Sequence, residues 1–486
     1  MSNLSDLLPS GGGQNIVDFT ASGTIASGKP VILNDNGTVT QVGTVPEALG
    51  SQTPFSSTTT TRIASCYDPD TGKTIIAYRG ASNYGYAVVA TPASDNSITF
   101  GTPVTFLSGT LTEVALSYDT GQDKVLLVYS DGADGNKLKA ITGTVSGTSI
   151  SFSSSSTAEG NSSENIAVAY SPDSENHMVI YADGGNSDRG AARVITVSGA
   201  GAPTTYNVAE VLYNGSNTTQ SQDVVYDTAQ DKFIVFYRDA GNSYYGECAV
   251  GSISGTTITF GTSVVLNSDN TTDIALAFDS SNEKTVVLYK AGQDPRSRVI
   301  SVSGTTPSAG SETVIVSLSG SGQYDLVYES QAGKLIAIFD NEDDSEGEYA
   351  VGTVSGTGIT YLTPVTFNSD GRAKYNGASF NASVNKVVLA FEDIGNSSYG
   401  TAQVLQVAST NLTATNFIGL AAGAISDTAT GKINVKGSIN SKQSSLTIGS
   451  DYYAQGDGTV ATTSTSPAVK IGQAVTATTI NMMDLT

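Results

Sequence analysis

The sequence predicts an all-β chain, in which a seven-bladed β-propeller is inserted in a small β domain that the two chain ends form together. Three observations support this prediction. A twelve-residue pattern recurs seven times, its second strand is apolar on both faces, and the N- and C-terminal segments resemble each other. No stretch of the chain shows sustained helical periodicity.

The recurring pattern has the form "YDPDTGKTIIAY" at 67–78 and "YDTGQDKVLLVY" at 118–129. Its leading aromatic residues are Tyr67, Tyr118, Tyr170, Tyr226, Phe278, Tyr328 and Phe380. Consecutive copies begin 50 to 56 residues apart, and a second aromatic residue follows each leading one eleven positions later. A period of this size, kept in fixed register, indicates a repeat architecture.

Each copy is typical of a β-hairpin, with an apolar run, a turn rich in Asp, Ser, Asn and Gly, and a second apolar run. Asp119 and Lys124 flank one turn, and similar pairs at other turns predict cross-strand ion pairs. The run "KVLLVY" at 124–129 is apolar at successive positions, so both of its faces must be covered. Two further strand-like segments, such as 246–255 and 257–268, complete a four-stranded propeller blade.

The last blade lacks a fourth strand after the seventh copy of the pattern. The segment "EALGSQTPFSSTTTT" at 47–61 aligns with the fourth-strand segment at 258–272. We therefore expect the N-terminal strand to complete the last blade and so remove the open sheet edges of the ring. The predicted propeller spans residues 46–408.

The small β domain is predicted from residues 16–45 and 409–486. Two hairpins support it, because "GKPVILNDNGTV" at 28–39 aligns with "GSDYYAQGDGTV" at 449–460. Their turns contain Asn-Gly and Asp-Gly, which favour tight hairpins. The remaining segment, 1–15, is predicted to be a docking peptide on a glycine-rich tether. Its three leucines, at helical spacing, are the candidate anchor residues Leu4, Leu7 and Leu8, and a frayed terminus is the alternative.

The composition excludes several classes of function. The chain has 23 basic and 45 acidic residues, a formal charge of −22, and no basic stripe to neutralise phosphates, so no nucleic-acid partner is expected. No apolar run is long enough to span a bilayer, so no membrane insertion is expected. Cys66 and Cys248 fall in different blades and are predicted to be unpaired apolar fillers.

The sequence predicts that the chain is not an enzyme. Its single histidine, His177, is assigned to an exposed hairpin turn, and a Ser-His-Asp triad would have to use it. One histidine and two separated cysteines cannot form a zinc site. A glycosidase stays as an alternative, because glycoside hydrolysis needs only two suitably placed carboxylates.

No cofactor is expected, with one alternative. The acidic loop "DNEDDSEGE" at 340–348 offers Asp340, Glu342 and Asp344 as ligands for Ca²⁺, which prefers hard oxygen donors. The competing interpretation is a solvated acidic loop.

Ligand-binding residues are predicted on the loops that join second to third strands. Tyrosine and asparagine side chains there suit sugars and protein surfaces, because they combine flat apolar faces with adaptable hydrogen bonds. The candidates are Arg79, Tyr84, Arg238, Tyr244, Tyr245 and Tyr399. The alternative is that they are ordinary turn and packing residues.

The two flanks resemble a small β module of tailed-bacteriophage virion proteins, including tail-fibre, spike and head-fibre types, notably from marine phages. The resemblance covers 17–42 and 417–482, and is clearest in "LTIGSDYYAQGDGTV" and "KIGQAVTATTI". It implies a non-enzymatic structural protein on the external surface of the virion, on the tail or the capsid.

A tail fibre or spike would present the propeller to a glycan or protein of the host surface. Other virion proteins would be partners of the N-terminal peptide and the small β domain, with Leu4, Leu7 and Leu8 as the virion anchor. A capsid decoration protein without a receptor is the alternative role. Homo-oligomerisation stays open.

Overall fold

The computed structural model describes residues 15–34, 36–198, 203–205, 210–215, 217–464 and 467–482. Within them, regular structure is β-strand apart from three short 3-10 segments, Ala81–Asn83, Gly132–Asp134 and Gly184–Asn186. The predicted all-β fold is confirmed. The described residues include no helix that is long and apolar enough to cross a membrane. The candidate anchor residues Leu4, Leu7 and Leu8 lie outside the described residues.

Contacts divide the chain into two units, one of residues 48–406 and one of the described parts of 1–47 and 407–486. The predicted propeller boundaries each lie two residues outside the first of these units.

In the first unit, each copy of the pattern forms an antiparallel sheet whose strands follow chain order. The first strands are Thr61–Asp68, Leu111–Asp119, Ser156–Ser171, Thr219–Asp227, Thr271–Asp279, Ser321–Glu329 and Ala373–Asn381. The second strands are Lys73–Arg79, Lys124–Asp131, Asn176–Asp183, Lys232–Asp239, Lys284–Ala291, Lys334–Asn341 and Lys386–Asp393. The third strands are Gly85–Pro92, Lys137–Ser146, Arg189–Thr196, Tyr245–Ser254, Asp294–Ser303, Glu346–Ser355 and Tyr399–Gln406.

The predicted fourth strand is split into two short strands that both pair with the third strand. The split pairs are Ile98–Phe100 with Val104–Leu107, Thr204–Thr205 with Val211–Leu212, Thr257–Phe260 with Val264–Asn267, Thr306–Ala309 with Thr313–Val314, and Gly358–Tyr361 with Val365–Asn368. In the second copy, Ser149–Phe152 is followed by the long strand Ser156–Ser171, which also begins the third copy and joins the two sheets.

A glycine marks the split in several copies, because the neighbouring sheet comes very close there. A Cβ on Gly101 would lie 1.8 Å from the carbonyl oxygen of Thr148, and one on Gly310 would lie 1.7 Å from that of Thr357. No side chain fits at such a distance, so the glycine lets the two backbones touch. Gly50, in the N-terminal segment, meets Asn96 of the first copy in the same way.

The N-terminal segment completes the seventh sheet. Ala48–Leu49 and Thr53–Thr59 both pair with the third strand Tyr399–Gln406. This is the pairing that the alignment of 47–61 with the fourth-strand segments predicts. It supplies the strands that the seventh copy lacks at its own end.

The cores lie between neighbouring sheets, since the second strands are buried on both faces as predicted. Val125, Leu126, Leu127 and Val128 are all 0–1% exposed. The first sheet packs on the second through a cluster that includes Ile75 and Leu127, and on the seventh through one that includes Ile76 and Val388. The first sheet therefore packs against the second sheet and also against the seventh, the last in the chain.

Acidic residues at the ends of the first strands cap the hairpin turns. Asp119 Oδ1 accepts hydrogen bonds from the backbone N–H groups of Gly121 and Gln122, at 2.9 and 3.0 Å. Asp119 and Lys124 do lie opposite each other in the sheet. However, the carboxylate binds the turn rather than the ammonium group, so a capped turn replaces the predicted cross-strand ion pair. Turn capping recurs at Asp68, Asp227, Asp279 and Glu329.

In the second unit, one five-stranded sheet takes strands from both chain ends. Its order is Ile16–Thr20, Thr430–Asn434, Phe417–Ala421, Pro30–Leu33 and Val39–Gln41. A second sheet, from the C-terminal segment, has the order Ile439–Asn440, Thr479–Asn481, Ala468–Thr476, Asp451–Gln455 and Val460–Ala461. A two-stranded ladder joins Thr44–Val45 to Ser409–Thr410. The two predicted glycine turns are present, with φ of +81° at Gly37 and +76° at Gly458.

The two cysteines are buried and free, as the sequence predicts. Burial raises the pKa of both thiols, those of Cys66 and Cys248, well above the ordinary value. Both therefore behave as small apolar side chains.

Candidate functional site

Every first strand has a bulge near the start of its pairing with the second strand, where the register between the two strands shifts. Two successive residues from each of the seven strands line one cavity of about 280 Å³ at these bulges. We call these fourteen residues the bulge ring. They are Arg62 and Ile63, Glu113 and Val114, Asn165 and Ile166, Ser221 and Gln222, Asp273 and Ile274, Gln323 and Tyr324, and Tyr375 and Asn376.

The backbone of the bulge ring is strained in a recurring way. Six residues there have φ between 45° and 57°, namely Arg62, Asn165, Ser221, Asp273, Gln323 and Tyr375. None of them is glycine, and this conformation is costly for residues with a side chain. Strain that recurs around a single cavity is typical of a ligand site.

Side chains of the bulge ring link most of the neighbouring sheets. In five of the seven positions a side-chain oxygen accepts a hydrogen bond from a backbone N–H group of the following copy, over 2.9 to 3.3 Å. The pairs are Glu113 with Ile166, Asn165 with Ser221, Ser221 with Ile274, Asp273 with Gln323, and Gln323 with Tyr375. Between the seventh copy and the first, the guanidinium of Arg62 lies over the ring of Tyr375, 5.5 Å from its centroid.

Two further acids, Asp223 and Asp325, lie two positions after the bulge-ring residues Ser221 and Gln323. Asp223 Oδ2 accepts the backbone N–H of Leu276 at 2.7 Å, and Asp325 Oδ2 accepts that of Ala378 at 2.5 Å. Burial raises the pKa of Asp223 to about 7 and that of Asp325 to about 6, because a buried carboxylate loses its hydration. Four of the other copies have alanine at this position, namely Ala64, Ala115, Ala167 and Ala275.

The loops between second and third strands lie at the same end of the sheets as the bulge ring. Thr61 pairs with Arg79, and Thr219 with Asp239, so each first strand begins where the second strand ends. The six predicted ligand-binding residues follow or begin these loops, but none of them lines the cavity. Their role in binding stays a prediction.

Arg238 and Tyr244 form the most defined contact among those six residues. The Arg238 guanidinium lies 4.1 Å from the centroid of the Tyr244 ring, a cation–π geometry. Tyr244 has a φ of 63° and is 44% exposed. Tyr84, Tyr245 and Tyr399 are half-buried at the starts of third strands, and Arg79 donates to Thr61 Oγ1 at 2.8 Å.

The sequence prediction missed the bulge ring. A signal was present, because the fifth residue before each leading aromatic residue is polar in all seven copies: Arg62, Glu113, Asn165, Ser221, Asp273, Gln323 and Tyr375. The regular alternation of side chains along a strand does not reveal that a bulge brings all seven to one cavity.

The structure does not bring the three predicted calcium ligands together. Arg372 Nε donates to Asp340 Oδ2 at 2.7 Å, and the same guanidinium pairs with Glu342 at 2.5 Å. Asp344 instead accepts Asn341 Nδ2 at 3.3 Å. Across the described residues, no group of three or more His, Cys, Asp or Glu side chains is arranged to hold a metal ion.

His177 is buried, so its predicted placement in an exposed turn is wrong. It occupies the second position of the strand Asn176–Asp183 and is 0% exposed. Its Nδ1 lies 2.7 Å from Ser117 Oγ, and its Nε2 lies 3.3 Å from Asp119 Oδ2, both in the preceding copy. The three residue types are those of a catalytic triad. Here, however, the imidazole is sealed from solvent and Asp119 also caps a turn, which indicates a joint between two sheets.

We expect the pKa of the His177 imidazole to lie below the usual histidine value. Burial lowers this pKa, and the neutral ring satisfies both neighbours, because Nε2–H donates to Asp119 while Nδ1 accepts from Ser117. The chain has one histidine, so a single ¹³C-labelled imidazole resonance reports on it. The midpoint of its shift with pH should lie below the ordinary histidine value of about 6.5. A midpoint at or above about pH 6.5 would contradict this assignment.

Comparisons with known proteins place the chain beside propeller structures at low identity. Neither the protein families nor the curated proteins gave a match. Among solved structures, the Cps50 (Swd1) beta-propeller domain of Myceliophteria thermophila is 10% identical, over 74% of this chain and 100% of that chain, with a TM-score of 0.47.

Two enzymes are similar at the same level. A PL25 polysaccharide lyase, an ulvan lyase, is 11% identical over 74% of this chain and 98% of its own, with a TM-score of 0.48. The NanB sialidase of Streptococcus pneumoniae is 11% identical over 75% of this chain and 71% of its own, with a TM-score of 0.44.

Proposed function

We propose that residues 46–408 form a seven-bladed β-propeller, with one blade for each copy of the pattern and the segment 47–61 completing the seventh. The packing of the first sheet on both the second and the seventh supports this count. The cavity lined by two residues from every first strand supports it independently. We further propose that 16–45 and 409–486 form one small β domain into which the propeller is inserted.

The function we propose is that of a non-enzymatic bacteriophage virion protein, a tail-fibre or spike component that presents the propeller for recognition of a host-surface glycan or protein. The resemblance of the flanks to virion proteins motivates the location on the outside of the particle. The observation that carries the binding role is the polar cavity of the bulge ring, with the Arg238–Tyr244 pair on the loops at the same end of the sheets.

The carboxylates that line the cavity already accept hydrogen bonds from the protein, which favours a binding role over a catalytic one. Glu113 Oε2 accepts the backbone N–H of Ile166, while Asp273 accepts from Gln323 N and from the Thr272 hydroxyl. A general acid or base must be free to exchange a proton with its substrate. These carboxylates instead hold neighbouring sheets together.

The proposal is tested with the purified full chain, fluorescently labelled, on a panel of bacterial strains and their extracted surface polysaccharides. Saturable binding to at least one strain, without loss of polysaccharide chain length, is the expected result. Binding to no strain would move the role to a capsid decoration protein. Shortening of a polysaccharide would overturn the non-enzymatic part and favour the glycosidase alternative.

We expect Tyr244→Ala to weaken cell binding about tenfold, because it removes an exposed aromatic face and the cation–π partner of Arg238. The melting temperature should be unchanged, since Tyr244 is 44% exposed. Leu362→Ala, at a site 65% exposed in the connection between the strands Gly358–Tyr361 and Val365–Asn368, is the matched control and should bind normally. Equal binding by both variants and the wild type would remove Tyr244 from the proposed surface.

A further inference from the structure

We propose that the cavity of the bulge ring binds the carboxylate of an acidic sugar, with the Arg62 guanidinium as its anion-binding group. This inference rests on the proposed role in surface recognition and names the class of ligand. It follows from which hydrogen-bonding groups the ring leaves unused.

The hydrogen bonds between sheets use side-chain oxygens of the bulge ring as acceptors and leave several of its side-chain N–H and O–H donors without a partner in the described chain. The backbone N–H groups of Ser221 and Tyr375 bind the side-chain oxygens of Asn165 and Gln323. A backbone N–H can only donate, so these bonds fix the orientation of both amides. Asn165 Nδ2 and Gln323 Nε2 then have no acceptor in the hydrogen bonds of the described chain. The Ser221 hydroxyl accepts from Ile274 N and likewise keeps its own proton available.

Arg62 is the strongest of these free donors. It is exposed, lines the cavity, and makes no hydrogen bond or ion pair within the described residues; its one specific contact is the Tyr375 ring. Four other arginines of this unit, Arg193, Arg296, Arg298 and Arg372, are instead paired with carboxylates. A planar guanidinium offers two parallel N–H groups to a carboxylate, which gives a strong and directional interaction.

The acids of the cavity do not cancel this preference. Both oxygens of Asp273 already accept hydrogen bonds. Burial raises the pKa of Glu113, an effect that the Ile166 amide and the Arg62 charge oppose, and Glu113 Oε2 already accepts a hydrogen bond from Ile166 N. No ion pair joins Arg62 to either acid in the described chain, and the guanidinium therefore stays available to a ligand anion.

The cavity also offers a hydrogen-bond acceptor to the hydroxyl groups of a sugar. Asn376 lines it, and its Oδ1 is buried without a hydrogen-bond partner among the described residues, an arrangement that is unfavourable until a donor arrives. The volume of about 280 Å³ lies at the small end of ligand pockets and suits one monosaccharide unit. A ring with several hydroxyl groups and one carboxylate matches this set of donors and acceptors.

The test is calorimetric titration of the full chain with methyl β-D-glucuronoside and with methyl β-D-glucoside, which differ only at the carboxylate. The glucuronoside should bind at least about tenfold more tightly, and Arg62→Gln should weaken its binding by about tenfold or more. Gln323→Glu keeps the oxygen that accepts Tyr375 N but replaces the free donor by a charged acceptor, so it should also weaken binding. Lys284→Gln, at the first residue of the second strand Lys284–Ala291 and so at the other end of the strands, removes the same charge and should bind like the wild type.

Equal affinity for the two glycosides, no binding of either, or normal binding by Arg62→Gln would overturn the inference. Thermal unfolding of each variant shows that it is folded. Cell binding separates this inference from the proposed function. If the wild type and Arg62→Gln bind cells equally, the proposed surface recognition stands but the acidic sugar is not its ligand. If the chain binds the glucuronoside but no cells, the inference about the cavity stands and the proposed surface recognition fails.

Discussion

Phe55→Ala is expected to lower the free energy of unfolding by about 3–5 kcal/mol, the usual cost of truncating a buried phenylalanine. Phe55 is 6% exposed and lies 5.1 Å from the ring centroid of Tyr78 and 5.8 Å from that of Phe100. Gly400 makes room for it, since a Cβ there would come within 2.4 Å of the Phe55 ring. Phe55 is therefore the side chain that fixes the N-terminal strand to the seventh sheet.

The same substitution should make the segment 48–59 the first site of proteolysis. This strand is joined to its sheet by pairing rather than by a short loop, so loss of its buried anchor releases it and exposes the edge of Tyr399–Gln406.

Phe367→Ala is the matched control for this substitution. Phe367 fills the corresponding slot beside Gly347, is 4% exposed, and lies on a strand that follows its own sheet in the chain. Urea unfolding followed by circular dichroism measures the first effect, and limited proteolysis with mass spectrometry measures the second. Loss of less than about 1 kcal/mol, or the same cleavage pattern in both variants, would show that Phe55 does not hold the N-terminal strand on the seventh sheet.

Much of the fold could be predicted because its signals are local. The alternation of apolar runs and Asp- or Gly-containing turns determines each hairpin, and aromatic residues at fixed spacing mark each copy. The alignment of 47–61 with 258–272 predicted a pairing between residues more than 300 positions apart, since all the copies share one pattern. The split of the fourth strand escaped prediction because it depends on the neighbouring sheet, which touches the backbone at Gly101 and Gly310.

The candidate site was harder to predict, and His177 shows why. Asn176 takes the place that lysine has in the other copies, so His177 lies at the position of Val125 and is the first core residue of its strand. A shift of one residue separates an exposed turn from a buried core. The bulge ring depends on a shift of the same size, repeated in all seven first strands. Polar residues such as Arg62 and Gln323, which a regular strand would place apart, are turned by it into one cavity.

Stability is expected to fall as the pH rises from 5 to 8, because of Asp223 and Asp325. Burial raises their pKa values to about 7 and about 6, from an ordinary value of 3.8. Across this range the folded chain keeps protons that the unfolded chain has already lost. The unfolded state therefore binds fewer protons, and the free energy of unfolding decreases with pH. At about 1.4 kcal/mol per pKa unit, the two groups together lower stability by about 2–4 kcal/mol between pH 5 and pH 8.

The double variant Asp223→Ala/Asp325→Ala isolates this effect, since four other copies carry alanine at the same position and the site accepts it. The informative quantity is the difference in unfolding free energy between wild type and variant, measured by urea denaturation from pH 5 to pH 8. Contributions from His177 and from the charge of −22 are common to both proteins and cancel.

The unfolding free energy of the wild type should increase relative to that of the variant as the pH falls. The reason is that its two carboxyl groups become neutral while they still accept hydrogen bonds from the Leu276 and Ala378 amides. A difference that is constant with pH would mean that both carboxyl groups are hydrated and titrate at ordinary values. Two further negative charges would then lie next to the cavity at neutral pH, two positions after the lining residues Ser221 and Gln323, and would weaken the binding of any anion at Arg62.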